Sequence, residues 1–171
     1  MLLIRKQTTK DDEIIHTVIK AAFEQAEHTD GNEHELVKAL KKGEAFIKDL
    51  SLVAEIDGKI VGYILFTEAK VGRETVLALA PLAVLPDYQR SGIGLALINE
   101  GHNRARELGY DYSVVLGSET YYPKAGYLPA ATFGIKPPFE VPSENFMAYP
   151  LKEEVPKVCG TIKYAKEFGI E

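Results

Sequence analysis

Hydrophobic spacing along the chain changes period twice. Ile14, Ile15, Val18, Ile19, Ala22 and Phe23 recur at intervals of three and four, predicting one amphipathic helix over about 10 to 26. Before it, Leu2 to Gln7 reads as a short extended segment, and Thr8, Thr9, Asp11 and Asp12 supply side chains that cap free N–H groups. A second helix fits about 32 to 42, with Leu36, Val37 and Leu40 inward and Gly43 as its stop. The period then becomes two. Leu52, Ala54 and Ile56 alternate with Val53 and Glu55, Asp57-Gly58 interrupts, and Ile60, Ile64 and Phe66 follow. Both residues of an Asp-Gly turn tolerate positive φ, so this stretch predicts a β-hairpin.

Thr75 to Leu85 is nearly all apolar and reads as a strand covered on both faces. Pro81 inside it cannot donate to a ladder, which predicts a bulge or broken pairing there. After Pro86, the loop Asp87 to Ser91 enters Gly92-Ile93-Gly94 and a helix with Ile93, Leu97, Ala105 and Leu108 inward, ending before Gly109. Tyr112, Val114 and Leu116 predict another buried strand, Glu119 to Ala125 a short helix, and Tyr127 to Ala131 an extended path. Phe133 to Pro142 is a loop stiffened by Pro137, Pro138 and Pro142. Asn145 to Leu151 and Val158 to Tyr164 read as closing strands.

A length of 171 residues, 46% hydrophobic and 26% charged, gives room for one sizeable core. Residues 1–171 are therefore expected to form a single domain, with about 152–171 as a C-terminal extension. Disorder and low-complexity repeats are excluded. No apolar run approaches the roughly 18 to 20 residues of a membrane-spanning helix, and the first residues lack the apolar core of a secretory signal. A cytoplasmic protein without a membrane partner is expected. The single cysteine, Cys159, forms neither an internal disulfide nor a multi-cysteine metal site. Twenty Lys plus Arg against 25 Asp plus Glu leave a charge of -5, which disfavours a nucleic-acid partner. The acidic stretch of Glu24, Glu27, Asp30, Glu33 and Glu35 reads first as a solvated face, and it suits a cationic acceptor if it faces a cleft. His16, His28, His34 and His102 have no metal-ligand spacing, so no metal is expected.

The chemistry is concentrated where the strand Leu77 to Leu85 gives way to Gln89-Arg90-Ser91-Gly92-Ile93-Gly94 and then a helix. Glycines at a helix entry let backbone N–H groups approach an anion, and the helix dipole adds favourable potential, so a phosphate or pyrophosphate is the expected ligand. A P-loop would require Gly-Lys-Ser/Thr after four spacer residues, and no such run exists. A dinucleotide fingerprint would require a third glycine where Leu97 stands.

Gln89-x-x-Gly92-x-Gly94, preceded by Leu82-Ala83-Val84-x-Pro86, resembles the acetyl-CoA motif of the GCN5-related N-acetyltransferase superfamily. Tyr121-Tyr122-Pro123-Lys124-Ala125-Gly126-Tyr127, about thirty residues on, is similar to that family's aromatic-Tyr-x-x-x-Gly-aromatic segment. Together with the order of elements, the resemblance covers nearly the whole chain and suggests a bacterial branch. It implies an α/β fold with a mixed, largely antiparallel sheet flanked by helices and a splayed central strand pair. It also implies acetyl-CoA as cosubstrate and an amine acceptor, a small molecule or a protein amine. A homodimer is common in the family.

Residue roles follow from the same resemblance. Arg90, Ser91, Gly92, Ile93, Gly94 and Leu95 would bind the pyrophosphate through backbone N–H groups, with Gln89 and Arg90 shaping its edge. Leu82, Ala83 and Val84 would pair with the pantetheine arm like a missing strand, and a free N–H there would polarise the acetyl oxygen. Tyr122 would face the sulfur as general acid, with Tyr121 the rival if the register slips by one. Glu68 and Glu119 are the carboxylates considered for a general base, beside proton loss through ordered water. Where the family often has Asn before its tyrosine motif, this chain reads Gly117-Ser118-Glu119. Met147, Phe133, Phe139, Phe146 and Tyr149 either wall an acceptor cleft or pack a satellite core. The alternative functions are a non-catalytic acyl-CoA-binding sensor or interaction module, and transfer of a longer acyl chain or to oxygen.

Overall fold

The computed structural model describes residues 1–24 and 31–170. Its regular elements begin with β1 (Leu2–Lys6), α1 (Asp12–Phe23), α2 (Glu33–Lys41) and the hairpin β2 (Phe46–Ile56) and β3 (Lys59–Val71). Next come β4 (Glu74–Val84), α3 (Ile93–Glu107) and β5 (Tyr112–Leu116). The short β6 (Leu128–Pro129) and β7 (Ile135–Lys136), then β8 (Phe146–Pro150) and β9 (Gly160–Lys163), complete the order.

The strands lie in the order β1, β2, β3, β4, β5, β8, β6, while β9 pairs with the end of β3 and with β7. Pairing is antiparallel except between β4 and β5 and between β7 and β9. This is the mixed, largely antiparallel sheet flanked by helices that the motifs implied.

Alternation on β2 decides which helix covers which face. Val53 joins Tyr63 and Leu65 beneath Ile15, Val18 and Ile19 of α1 and Val37 and Leu40 of α2. Leu52 and Ala54 point the other way, with Ile64 and Phe66, against Ile93, Leu97, Ile98 and Ala105 of α3. Each such aliphatic side chain contributes about 1.5–3 kcal/mol relative to an exposed one. Ile14 departs from the expected stripe. It is exposed because one residue's rotation, about 100°, carries it past the edge of the buried face.

Entry into α1 is fixed by Asp11, whose carboxylate accepts the Thr8 backbone N–H at 2.7 Å and an Arg5 guanidinium N–H at 2.8 Å. The expected end of this helix near residue 26, together with Glu27, His28 and Asp30, lies outside the described residues. In the hairpin turn Asp57 has φ 50° and Gly58 φ 84°, the two positive angles that the Asp-Gly pair allows.

Other segments differ from the sequence reading. Leu108 is exposed because α3 is already ending there. Tyr122–Ala125 is a single 3-10 turn, and a second such turn, Ala130–Phe133, replaces part of the expected extended path. Phe146 and Met147 of β8 are buried in the core, so neither walls a cleft, and Phe133 packs against Tyr112. Among the described residues, no helix is long and apolar enough to cross a membrane.

Candidate active site

Ile64 pairs with Leu82 and Phe66 with Leu79, so Leu65 alone opposes Ala80 and Pro81. The Ala80–Pro81 peptide in this bulge is cis. Bulged strands bend, and this one leaves its neighbour. β4 meets β5 only at Leu77 with Ser113 and Ala78 with Val114. Beyond Ala78 the β4 edge facing β5 has no strand partner among the described residues, and that edge contains Leu82, Ala83 and Val84. Leu116, expected to be buried, is exposed at the end of β5, where β4 no longer lies beside it.

At the open end of this splay stands the loop into α3. Gln89 Nε2 donates to the Val84 carbonyl at 2.9 Å, so that oxygen is already engaged within the loop. The Ser91 hydroxyl donates to the Tyr88 carbonyl. Arg90 at φ 64° and Gly92 at φ 88° are both left-handed, and the Gly92 carbonyl accepts the Ala96 N–H at 3.0 Å to begin the helix. Among the described residues, no protein acceptor meets the backbone N–H groups of residues 90–95. Unpaired donors at a helix N-terminus make a cradle for an anion. No atom lies within 4 Å of where a Cβ on Gly92 would stand, so the space over the cradle is open. Ile93 is buried beneath it and anchors the first turn, with Leu95 half-buried.

Two tyrosines reach toward this loop from the turn after β5. The Tyr121 hydroxyl fills the place that a Cβ on Gly94 would take, with Leu82 beside it. Tyr121 therefore spans from the α3 entry toward the free edge of β4. Tyr122 is the more buried of the two, its ring against Gly117 and edge-on to Tyr127 at 5.7 Å and to Tyr121 at 5.1 Å. Among the described residues neither hydroxyl has a hydrogen-bond partner in the protein. Burial, and then Tyr121 beside it, push the Tyr122 phenol well above its ordinary pKa, so it holds its proton; burial also raises Tyr121.

The two candidate carboxylates stand apart. Glu119 is exposed at the rim, where its carboxylate accepts Asn145 Nδ2 at 2.6 Å. Glu68 lies opposite Leu77 at the closed end of the splay and accepts the Tyr110 hydroxyl at 2.6 Å. With strands rising about 3.3 Å per residue, that places Glu68 more than 10 Å along the sheet from Leu82. Glu24 is exposed and directly follows Phe23, the last residue of α1.

Sequence reading missed two supports of this site. Asn145 also donates to the Gly117 carbonyl at 3.0 Å and so pins the tyrosine turn from the residue just before β8. Beneath Tyr122, the Tyr127 hydroxyl lies 2.6 Å from Ser113 Oγ and 3.0 Å from His102 Nε2, and the His102 ring stacks on Tyr149 at 4.5 Å. Burial, followed by the Arg106 charge, lowers the His102 pKa to about 3, so the imidazole is neutral. One signal was present in the sequence. His102 falls four residues after Ile98 and three before Ala105, on the inward stripe of α3.

Comparison with known proteins agrees with this geometry. Residues 14–127 match the family model of the acetyltransferase (GNAT) family. The uncharacterized N-acetyltransferase YjhQ of Escherichia coli K12 is 42% identical over 118 residues, 66% of this chain and 65% of that protein. The uncharacterized N-acetyltransferase YhbS of the same strain is 29% identical over 98% of this chain and 99% of its own length. Among solved structures, a GNAT family acetyltransferase from Brucella melitensis in complex with acetyl-CoA aligns with TM-score 0.81 and 30% identity, covering 98% of each chain. YhbS in complex with CoA aligns with TM-score 0.84 and 27% identity, over 98% of this chain and 92% of that one.

Proposed function

The chain belongs to the acetyltransferase (GNAT) family, and from that premise we propose that it is an N-acetyltransferase carrying the acetyl group of acetyl-CoA to a primary amine. The observation that carries the reading is the run of unpaired N–H groups at residues 90–95, set beside a β4 edge without a strand partner. One feature suits a diphosphate and the other an amide-bearing arm. The Brucella relative was solved with acetyl-CoA and YhbS with CoA, a nucleotide thiol that carries both groups.

In this reading the amides of Arg90 to Leu95 hold the pyrophosphate, and Gly92 keeps the approach clear. The free edge at Leu82 and Ala83 aligns the pantetheine arm, and a backbone N–H there polarises the thioester carbonyl. Gln89 holds the loop to the strand end through Val84 rather than reaching the ligand. The acceptor nitrogen, having lost a proton to water, attacks the carbonyl carbon directly in a ternary complex. A C–N bond forms, the C–S bond breaks, and the leaving thiolate takes the Tyr122 phenolic proton. The nitrogen releases its second proton, and Tyr122 is reprotonated through solvent. Glu119, exposed at the rim, receives protons at the open end, whereas Glu68 has no role at this distance.

Incubation with acetyl-CoA and a panel of amines, following free thiol, tests the reading, with calorimetry of CoA binding alongside. Amine-dependent thiol release is the expected result. Saturable binding with no turnover across the panel would favour an acyl-CoA sensor, and no binding of CoA would overturn both.

A further inference from the structure

Away from the α3 loop, a cavity of about 680 Å³ opens between α1 and α2, floored by Ile15, Ile19 and Val37. His16 of α1 and His34 from the first turn of α2 stand in its wall, both partly buried. Their rings meet edge to face with centroids 4.3 Å apart. Glu35 follows His34, and one ligand atom from each of the three residues lies within 4.8 Å of the others. We infer that His16, His34 and Glu35 form a binding site for a divalent transition-metal ion of the zinc type, clipping α1 to α2.

The distances fit coordination better than hydrogen bonding. His34 Nε2 and Glu35 Oε1 are 3.7 Å apart, too long for a hydrogen bond. Two ligands held at about 2.1 Å by a tetrahedral ion stand about 3.4 Å from one another, so this pair already approximates one edge of such a site. With all three ligand atoms within 4.8 Å of one another, closing to tetrahedral spacing takes at most roughly 1.4 Å, which side-chain rotation about χ1 and χ2 supplies. The adjoining cavity leaves a fourth position for water or a small ligand.

Charge sets the strength of the site. Glu35 supplies the anion, while Lys38 and Lys20 also act electrostatically on His16 and oppose a cation. Binding is therefore expected in the micromolar range, well below the affinity of closed structural zinc sites. Seventeen residues separate His16 from His34 in sequence, and the packing of α1 against α2 brings the pair together.

Zinc titration of the full chain tests the inference, using a Cys159→Ser background because that thiol is exposed and free. One zinc per chain should bind, and with zinc at about a hundredfold over its Kd the Tm should rise by about 5 to 10 °C. Cobalt(II) should give the visible absorption of a four-coordinate site. His16→Gln and His34→Gln should each abolish both signals while retaining the far-UV circular dichroism of the parent, and Glu35→Gln should weaken binding about tenfold. Absence of saturable binding, or binding retained by both histidine variants, would overturn the site. Neither readout involves CoA, so the outcome is separate from that of the acetyltransferase reading.

Discussion

The Tyr121 hydroxyl stands where Gly94 would carry its Cβ, so the second glycine of the loop is matched to a phenol contributed from beyond β5. The two residues lock the α3 entry to the tyrosine turn. Gly94→Ala forces that contact to give, and a cost of about 1–2 kcal/mol is expected. Tyr121→Phe removes the offending oxygen and should recover most of the loss. A double-mutant cycle in urea therefore reads a coupling of at least about 0.5 kcal/mol, whereas additive effects would contradict the contact.

If the buried Tyr122 phenol donates the proton to the leaving thiolate, as proposed, Tyr122→Phe should lower kcat by about 100-fold or more. The Kd for acetyl-CoA should stay within about twofold, since the hydroxyl makes no contact on which the loop depends. Single-turnover rates with a saturating amine separate the two quantities.

Gly92→Ala acts through φ 88° and through the open space over the cradle. An L-residue in that conformation costs about 1–2 kcal/mol of stability. The added methyl also points into the space assigned to the diphosphate, so the Kd for CoA measured by calorimetry should rise at least about tenfold. A stability loss with unchanged affinity would detach Gly92 from the ligand.

Acid stability should depend on the Arg5–Asp11 pair. The Arg5 hydrogen bonds, outweighing burial and helped by the Thr8 N–H, hold the Asp11 carboxyl down at about 2. Folding lowers this pKa, so the stabilisation is complete above the ordinary 3.8 and disappears as pH falls through about 2. The pair should contribute about 1–2 kcal/mol at neutral pH. Arg5→Met should remove that amount at pH 7 and flatten the pH dependence between 4 and 2, measured by urea unfolding across that range.

His102 governs a different window. The folded chain keeps it neutral down to about 3, while the unfolded chain protonates it near the ordinary 6.5, so stability falls as pH drops between those values. Its share of the slope is at most about 1.4 kcal/mol per pH unit. His102→Phe should remove that share, with the Tyr127 hydroxyl still paired to Ser113. An unchanged slope from pH 6 to 4 would mean that the imidazole is protonated in the fold.

Much of the fold is legible because it rests on local rules. The stripe from Ile15 to Ile19, the Asp57-Gly58 turn, the interruption at Pro81 and the glycine entry to α3 each follow from spacing or φ alone. The loop is contiguous in sequence, so its motif could be read there as well. The partners of its supports could not, although the inward position of His102 could. Asn145 reaches Gly117 from just before β8, and His102 meets the Tyr127 hydroxyl, itself beside Ser113, across the layer between α3 and the sheet.

By itself the sequence determined most of the elements, the glycine turn into α3 and the tyrosine segment, since backbone conformation and short-range spacing act within a few residues. Tertiary structure decided which carboxylate lies near the splay, which phenol spans it and which histidines meet. Those outcomes depend on strand register and on how helices dock. Glu68 shows the reason: its side chain is acceptable as a base, but pairing with Leu77 rather than with a residue beyond Pro81 fixes it at the closed end.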